Sequence, residues 1–450
     1  MRCRILLAFT ILLLSAVAVA ATPASAQMQV AAQAQSSQQA PPPAAAQSLT
    51  LQDAEKIAIQ NHPQIQAASY LATAAKAQVT EARSDYYPHA YGSVTGVKAE
   101  NNSRVAAGAL NNPIIFSRFA DGVTVQQLVT DFGRTHELVK SSELHAKAQE
   151  ENVTTTRADV LLQVDAAYYG VLKAQAVLEV AQETVKDRQL VSDQITALEK
   201  NKLKSGLDVS FANVDLAQAQ LLLVQAQNDL QASFAELSAA LGYSDQRTFQ
   251  LAEQPLPPAP PADLPTLITQ AMQNRPELVS RRLDVNSAQS YATAERDLWF
   301  PTLSAVGVAG LVPYRQDPLP SSYAAAGFDL NVPLFNGRMY NALHTEAVAR
   351  AAAQEQYLRD LQNRIAADVR TSWLNVISAY QRLSVTDQLQ KQATQAFDLA
   401  QARYKLGLSS IIELSQAQLS LTEAQIDQIS AQYDYESQTA NLNYQLGHMR

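Results

Sequence analysis

Two stretches of this chain repeat one another. Asn61-His62-Pro63 returns as Asn274-Arg275-Pro276, and Tyr86-Tyr87-Pro88 returns as Trp299-Phe300-Pro301, each pair 213 positions apart. The echo continues with Asp131-Phe132-Gly133-Arg134 against Phe335-Asn336-Gly337-Arg338 at 204, Lys204-Ser205-Gly206-Leu207 against Lys405-Leu406-Gly407-Leu408 at 201, and Leu241-Gly242 against Leu446-Gly447 at 205. A unit of roughly 200 residues is duplicated in tandem, too long for the repeats of a small solenoid. Two large similar halves predict a pseudo-symmetric subunit of the kind that builds a ring.

Arg2 and Arg4 precede an apolar run from Ile5 to Ala21, and Ala24-Ser25-Ala26 follows, which predicts a signal peptide over 1–26. Cys3, the only cysteine, precedes that run, so the processed chain has neither a disulfide nor a lipidated cysteine and depends on packing and assembly. Losing Arg2 and Arg4 and no acid moves the formal net charge from −8 to −10, which argues against a nucleic-acid partner. Residues 27–48 are mainly Ala, Gln, Ser and Pro and predict a disordered tether. No later segment has the roughly 18 apolar residues of a membrane helix, so a bilayer could be crossed only by strands.

Each half opens on a helix, with Thr50 and Asp263 placed to accept a free amide and Asp53 to close a box-like cap. Each of these helices is expected to end near Tyr87-Pro88 or Phe300-Pro301, because proline disfavours helical geometry in the residue before it. The aromatics there suit either a membrane surface or plain core packing. Beyond each proline the period becomes two: Val123, Val125 and Val129 in one half, Leu303, Ala305, Gly307 and Ala309, then Phe328, Leu330, Val332 and Leu334 in the other. Two strands per half are predicted, within about 89–130 and 302–334, joined by turn-rich loops at Asn101–Pro113 and Pro313–Ser322. Four strands cannot close a barrel, so several chains must share one wall.

Long tracts without proline follow, rich in Ala, Gln, Leu, Glu and Lys. Ile365, Val369, Trp373, Val376, Tyr380 and Leu383 form a heptad-type seam, and 205 positions earlier stand Val160, Val164, Tyr168, Val171, Gln175 and Leu178. A helix from Arg134 to Leu203 would run about 100 Å at 1.5 Å per residue. Gly206 and Gly407 are read as the tips of two long hairpins, where glycine takes a left-handed cap. The domains are then a first repeat over 49–242, a proline-rich strap over 243–262 with Pro255, Pro257, Pro258, Pro260 and Pro261, and a second repeat over 263–447.

In this order, twice over, these features resemble the TolC-type outer-membrane efflux proteins from Leu49 to Gly447. The resemblance implies a mainly helical fold with a small β part: a homotrimer whose hairpins form a long periplasmic α-barrel and whose four strands per chain build a twelve-stranded barrel in outer-membrane lipid. It also implies a duct that works passively with a periplasmic adaptor and an inner-membrane pump, in drug efflux or type I secretion. Carried over residue by residue, Tyr404 matches a gate tyrosine and Glu413 a first acidic ring. Gln416 replaces a second acid, Ser409 stands where a gate arginine can occur, and Ala212 where an aspartate can occur. Three copies of Glu413 around a pore would form a cation-attracting constriction, while the plain alternative is a solvated helix acid. Leu203, Gly206, Leu207, Leu406, Gly407 and Leu408 are the candidates for adaptor docking, although the glycines alone would serve simply to turn the chain.

No catalytic or cofactor constellation accompanies this pattern. The six histidines, at 62, 89, 136, 145, 344 and 448, lack the helical spacing of a metal pair, and no cysteine of the processed chain is available as nucleophile. Asp131-Phe132-Gly133 mimics a kinase signature without its glycine-rich loop or catalytic loop. The expectation is a protein that is not an enzyme and needs no cofactor. The competing readings are a periplasmic adaptor, which would have one hairpin within compact β-domains, and a soluble coiled-coil scaffold, which would need no strands.

Overall fold

The computed structural model describes residues 48–100, 103, 114–316 and 319–449. The expected signal peptide, nearly all of the expected tether and most of the loop Asn101–Pro113 lie outside the described residues. The first half runs α1 (Leu51–Asn61), α2 (Pro63–Arg83), a 3-10 turn (Ser84–Tyr86), β1 (His89–Val97), β2 (Arg118–Thr130), α3 (Arg134–Lys200) and α4 (Gly206–Ala240). The second runs α5 (Leu264–Asn274), α6 (Pro276–Arg296), a 3-10 turn (Asp297–Trp299), β3 (Thr302–Arg315), β4 (Ser322–Asn331), α7 (Met339–Lys405) and α8 (Ile411–Gln445).

The opening helix of each half is in fact two. His62 and Arg275 are extended, at ψ 123° and 121°, because each precedes a proline that begins the next helix. His62 Nδ1 accepts from Gln64 N at 3.3 Å and so caps α2. Thr50 Oγ1 accepts from Asp53 N at 3.2 Å as expected. Asp263 does not cap an amide: α5 carries Pro265 in its first turn, and the Asp263 carboxylate is taken instead by the Thr266 hydroxyl.

The paired elements also correct the register of the repeat. The short helices stay 213 positions apart, but α3 and α7 are both 67 residues long and α4 and α8 both 35, and these pairs lie 205 apart. Left-handed backbone marks the equivalent positions: Phe132 with Gly337, Gly133 with Arg338, and Lys202 with Gly407. The offsets of 204 and 201 came from matching glycine letters, whereas the chain duplicated a backbone conformation and changed the residue that adopts it.

The four strands form one antiparallel sheet in the order β1-β2-β3-β4, with β2 and β3 joining the halves. One face carries Val94, Val123, Val125, Ala309, Ala326 and Phe328 with Asp121 and Gln127, and the other carries Tyr91, Thr95, Thr124, Gln126, Ser304 and Asp329 with Val306 and Val308. On the second face Tyr323 lies across Gly122 and Gly310, where an added Cβ would stand 2.2 Å from the Tyr323 hydroxyl or the Asp121 carbonyl, so both positions need glycine. Two boundaries differ from expectation. β3 runs through Pro313, beyond the Leu311–Ser322 pair that ends the β4 ladder and where a register shift opposes β2, so proline's missing N–H costs no ladder bond. β4 stops at Asn331, leaving Val332 and Leu334 outside it, because Pro333 cannot donate. Among the described residues β1 and β4 are each paired on one side only.

The expected seam forms two cores. Val160, Val164, Tyr168 and Val171 pack with Leu237 and Leu241, and Ile365, Val369 and Val376 pack with Leu278, Tyr435 and Leu442. Gln175 and Leu178 are only half-buried and Tyr380 is exposed, so each seam loosens toward the tips. The strap after Leu251 is held by aromatic donors that satisfy its carbonyls. Tyr168 Oη donates to Ala252 O at 2.7 Å, its counterpart Trp373 donates through Nε1 to Pro261 O at 2.8 Å, and Tyr435 Oη donates to Pro258 O at 2.5 Å.

Candidate functional site

The tips of the two hairpins have one backbone design. α3 ends at Lys200, Lys202 takes φ 60°, and Leu203 N reaches back to Leu198 O at 2.9 Å. α7 ends at Lys405, Gly407 takes φ 73°, and Leu408 N reaches back to Arg403 O at 2.8 Å. Both are left-handed closures that satisfy the last free carbonyls. Gly206 is therefore not the left-handed cap: it is the first residue of α4, and Lys202 holds the strained position.

Each following helix starts at a serine. Ser205 Oγ accepts from Asp208 N at 3.2 Å while Asp208 Oδ2 accepts from Ser205 N at 3.0 Å, a closed capping box that holds the Asp208 carboxyl below the usual range. Ser410 Oγ accepts from Glu413 N at 3.4 Å. Glu413 thus occupies the third position of α8, matching Asp208, but its carboxylate turns across the tip to Arg403 Nε at 3.0 Å. Arg403 was not anticipated from sequence; it sits ten residues before Glu413, a spacing that becomes a contact only once the chain reverses.

Tyr404 lies in the last turn of α7, against Ile195, Ala212, Ile411 and Leu414. Its hydroxyl is buried without a hydrogen-bond partner among the described residues, and the Lys204 ammonium stands 4.1 Å from its ring centroid. Ala212 is buried in this cluster and offers the tyrosine only apolar contact. Ser409 Oγ is also buried and unpartnered, and Gln416 is exposed on α8. Leu203, Leu207, Leu406 and Leu408 are all exposed, each by more than 60%. Ile412 joins them, visible in the sequence only through the 205 offset that pairs it with Leu207.

Further up the bundle the two hairpins are tied by a buried polar network. Arg188 of α3 hydrogen-bonds to Gln418 of α8 and lies 4.0 Å from Asp215 of α4, whose carboxylate accepts from Ser415 of α8. The Arg188 side chain is only 8% exposed. A buried guanidinium persists because two acceptors share it, Gln418 and Asp215, which makes the network a geometric link between hairpins.

The family model for outer membrane efflux proteins matches this chain twice, over residues 56–243 and 267–448. The outer membrane protein TolC of Salmonella enteritidis is 24% identical over 404 residues, covering 86% of this chain and 79% of that one. In structure, the CmeC outer membrane channel of Campylobacter jejuni aligns with TM-score 0.75 at 15% identity, over 88% of this chain and 85% of that one. VceC, an outer membrane protein of Vibrio cholerae, aligns with TM-score 0.74 at 18% identity, over 88% and 96%. At these identities the structural likenesses establish the fold, and the adaptor and scaffold readings find no support among them. With both copies matched across most of its length, the chain belongs to the outer membrane efflux protein family and is an outer-membrane efflux channel.

Proposed function

We propose that the protein is the homotrimeric duct of a tripartite efflux or type I secretion system, conducting substrates passively from a periplasmic adaptor and inner-membrane pump to the exterior. The observation that carries this reading is the four-stranded sheet, whose outer edges at β1 and β4 have no partner strand among the described residues, joined to two hairpins whose long helices run about 100 Å. Pairing β4 of one copy with β1 of the next satisfies both edges, and three copies close a twelve-stranded barrel. The valine and alanine face then meets outer-membrane lipid, and the face with Tyr91, Gln126 and Asp329 lines the lumen. Cysteine scanning tests it: Ala324→Cys on β4 combined in turn with Ala90→Cys, Gly92→Cys and Val94→Cys on β1. Oxidation should yield covalent dimers and trimers for at least one pair, and a ladder that never exceeds the monomer overturns the reading.

Tyr404, Glu413 and Gln416 form the periplasmic gate in this proposal. Arg403 is its missing member, because its contact with Glu413 counters the cation attraction an isolated acidic ring would exert. Leu203, Leu207, Leu406, Leu408 and Ile412 form the adaptor-docking surface, with Gly407 shaping the turn and Gly206 leaving α4 open to close backbone approach. Leu408→Asp should abolish efflux while the trimer stays intact, and normal efflux in that variant would remove the docking role.

A further inference from the structure

About 38 Å along α8 from the tip, at 1.5 Å per residue, a cavity of about 830 Å³ opens between the proline strap, α1, α3, α5 and α8. Its walls are largely apolar, from Pro257 to Pro261 on the strap, Leu267 on α5, Val376 on α7 and Leu446. Three carboxylates face it: Glu55 of α1, Asp165 of α3 and Glu436 of α8. Asp165 and Glu436 are 3% and 2% exposed; Asp165 shares a hydrogen bond with Glu55 and Glu436 has one with Gln432, and beyond these Asp165 Oδ1 and Glu436 Oε2 are buried with no partner among the described residues. Unsatisfied carboxylate oxygens in an apolar cavity are costly unless something arrives to pair with them.

The charges around the cavity determine what that partner is. Among the described residues no lysine or arginine lines it, and Asp263 adds a fourth acid from the strap side. Glu253 of the strap acts on Glu436, and Lys56 on Glu55, from outside the lining. Among the described residues that line it, His448 is the only basic side chain. Among the described residues no three acids or histidines converge on one point as metal ligands. The arrangement therefore suits separated N–H donors carried on an apolar body, in a volume typical of small-molecule sites.

We propose that this cavity binds a protonated organic amine, its ammonium donating to Asp165 Oδ1 and Glu436 Oε2 and its hydrocarbon part lying against the proline strap. The site is distinct from the gate and stands whether or not the tip functions as described. Burial pushes Asp165 up to about 8, helped by Glu55 beside it, and Glu436 up to about 7. Near neutral pH the empty cavity therefore stores protons, and an arriving ammonium favours the carboxylates and releases a proton to solvent.

Calorimetry on the full chain in a non-ionic detergent tests this, with phenethylamine as probe and 2-phenylethanol as its neutral analogue. At pH 7.5 the amine should bind at least tenfold more tightly than the alcohol, with heats that change with buffer ionisation enthalpy because a proton is released. Glu436→Gln and Asp165→Asn should each weaken the amine tenfold or more, while Glu423→Gln on the exposed side of α8 should not. Equal binding of amine and alcohol, binding without proton release, no binding of the amine at all, or unchanged binding in both cavity variants would each overturn the proposal. Should a cavity variant fail to assemble, the amine-to-alcohol ratio and the proton count of the unaltered protein still decide it.

Discussion

The two halves share their backbone and differ in their buried polar chemistry. At the 205 offset, Arg188 in the first long helix corresponds to Ala393 in the second, Asp165 to the exposed Arg370, and Lys202 to Gly407. The apolar seam, by contrast, is kept: Val160, Val164 and Val171 answer Ile365, Val369 and Val376, all nearly inaccessible to solvent. Packing specifies the shape of each copy, so it tolerates little divergence. Polar groups specify how one copy meets the other, and there the halves are free to differ.

The largest effect expected from erasing that difference is at Arg188. Arg188→Ala gives the first hairpin the residue of the second but strands Asp215 and Gln418, and removing one partner of a buried charged network costs about 3–5 kcal/mol. Thermal dissociation of the trimer should fall by several degrees and reconstituted channels should leak more, since α3 and α4 are no longer held to α8. If stability and conductance stay as they were, the network is not a link between hairpins. The mirror change, Ala393→Arg, should destabilise as well, because Ala393 is buried and a guanidinium there would be taken out of water.

The acid cluster comes next. Its raised pKa values mean that the folded chain keeps protons that the unfolded chain has released above about pH 4 to 5. Its contribution is therefore fully present in acid, falls as pH rises through about 7 to 8, and is flat beyond. Melting followed from pH 5.5 to 8.5 should show a decline that the double change Asp165→Asn with Glu436→Gln flattens, by a few degrees at about 2–4 °C per kcal/mol. A parallel pair of curves would mean that these carboxyls are ionised throughout.

This contrast between halves also explains what was legible in the sequence. The seam, the four strands and the paired hairpins follow from periodicity and from the prolines, which act locally. The strand limits at Pro313 and Asn331 were missed because ladder pairing, and not the local pattern, decides them. Gly206 differs from expectation because a glycine permits a left-handed backbone without requiring it, and here Lys202 adopts it. Arg188, Arg403 and the carboxylates at 55, 165 and 436 left no local signal, since each gains meaning only from residues brought to it by folding.

The tip turns themselves offer a smaller and cleaner test. Gly407 has open space around its Cβ position, so Gly407→Ala should cost about 1 kcal/mol from backbone conformation alone. Lys202→Gly should be neutral or slightly stabilising, because φ 60° suits glycine, although the lost ammonium leaves the neighbouring lysines less crowded as well. Comparing the two melting shifts sharpens the claim that the same conformation is held by unlike residues. A loss on Gly407→Ala with none on Lys202→Gly supports it, and a costly Lys202→Gly would assign the lysine side chain a role of its own.

The smallest expected effect separates the capping acids, Asp208 and Glu413. Asp208 is consumed by its own serine, whereas Glu413 is free to reach Arg403. Along the two tips Lys200, Lys202, Lys204, Arg403 and Lys405 outnumber Glu199, Asp208 and Glu413, so Glu413 sits in a basic setting. Glu413→Gln should therefore shift reconstituted conductance toward anions, and Arg403→Gln should shift it toward cations by a comparable amount. Changing both together should come close to the unaltered channel, because an exposed pair contributes little beyond its charges, about 0–1 kcal/mol. Asp208→Asn should leave selectivity alone and lower helix stability by about 1 kcal/mol, as the loss of a capping box does. If Asp208→Asn moves selectivity as far as Glu413→Gln, the two tips are electrically equivalent, and the distinction drawn between a structural acid and a pore acid fails.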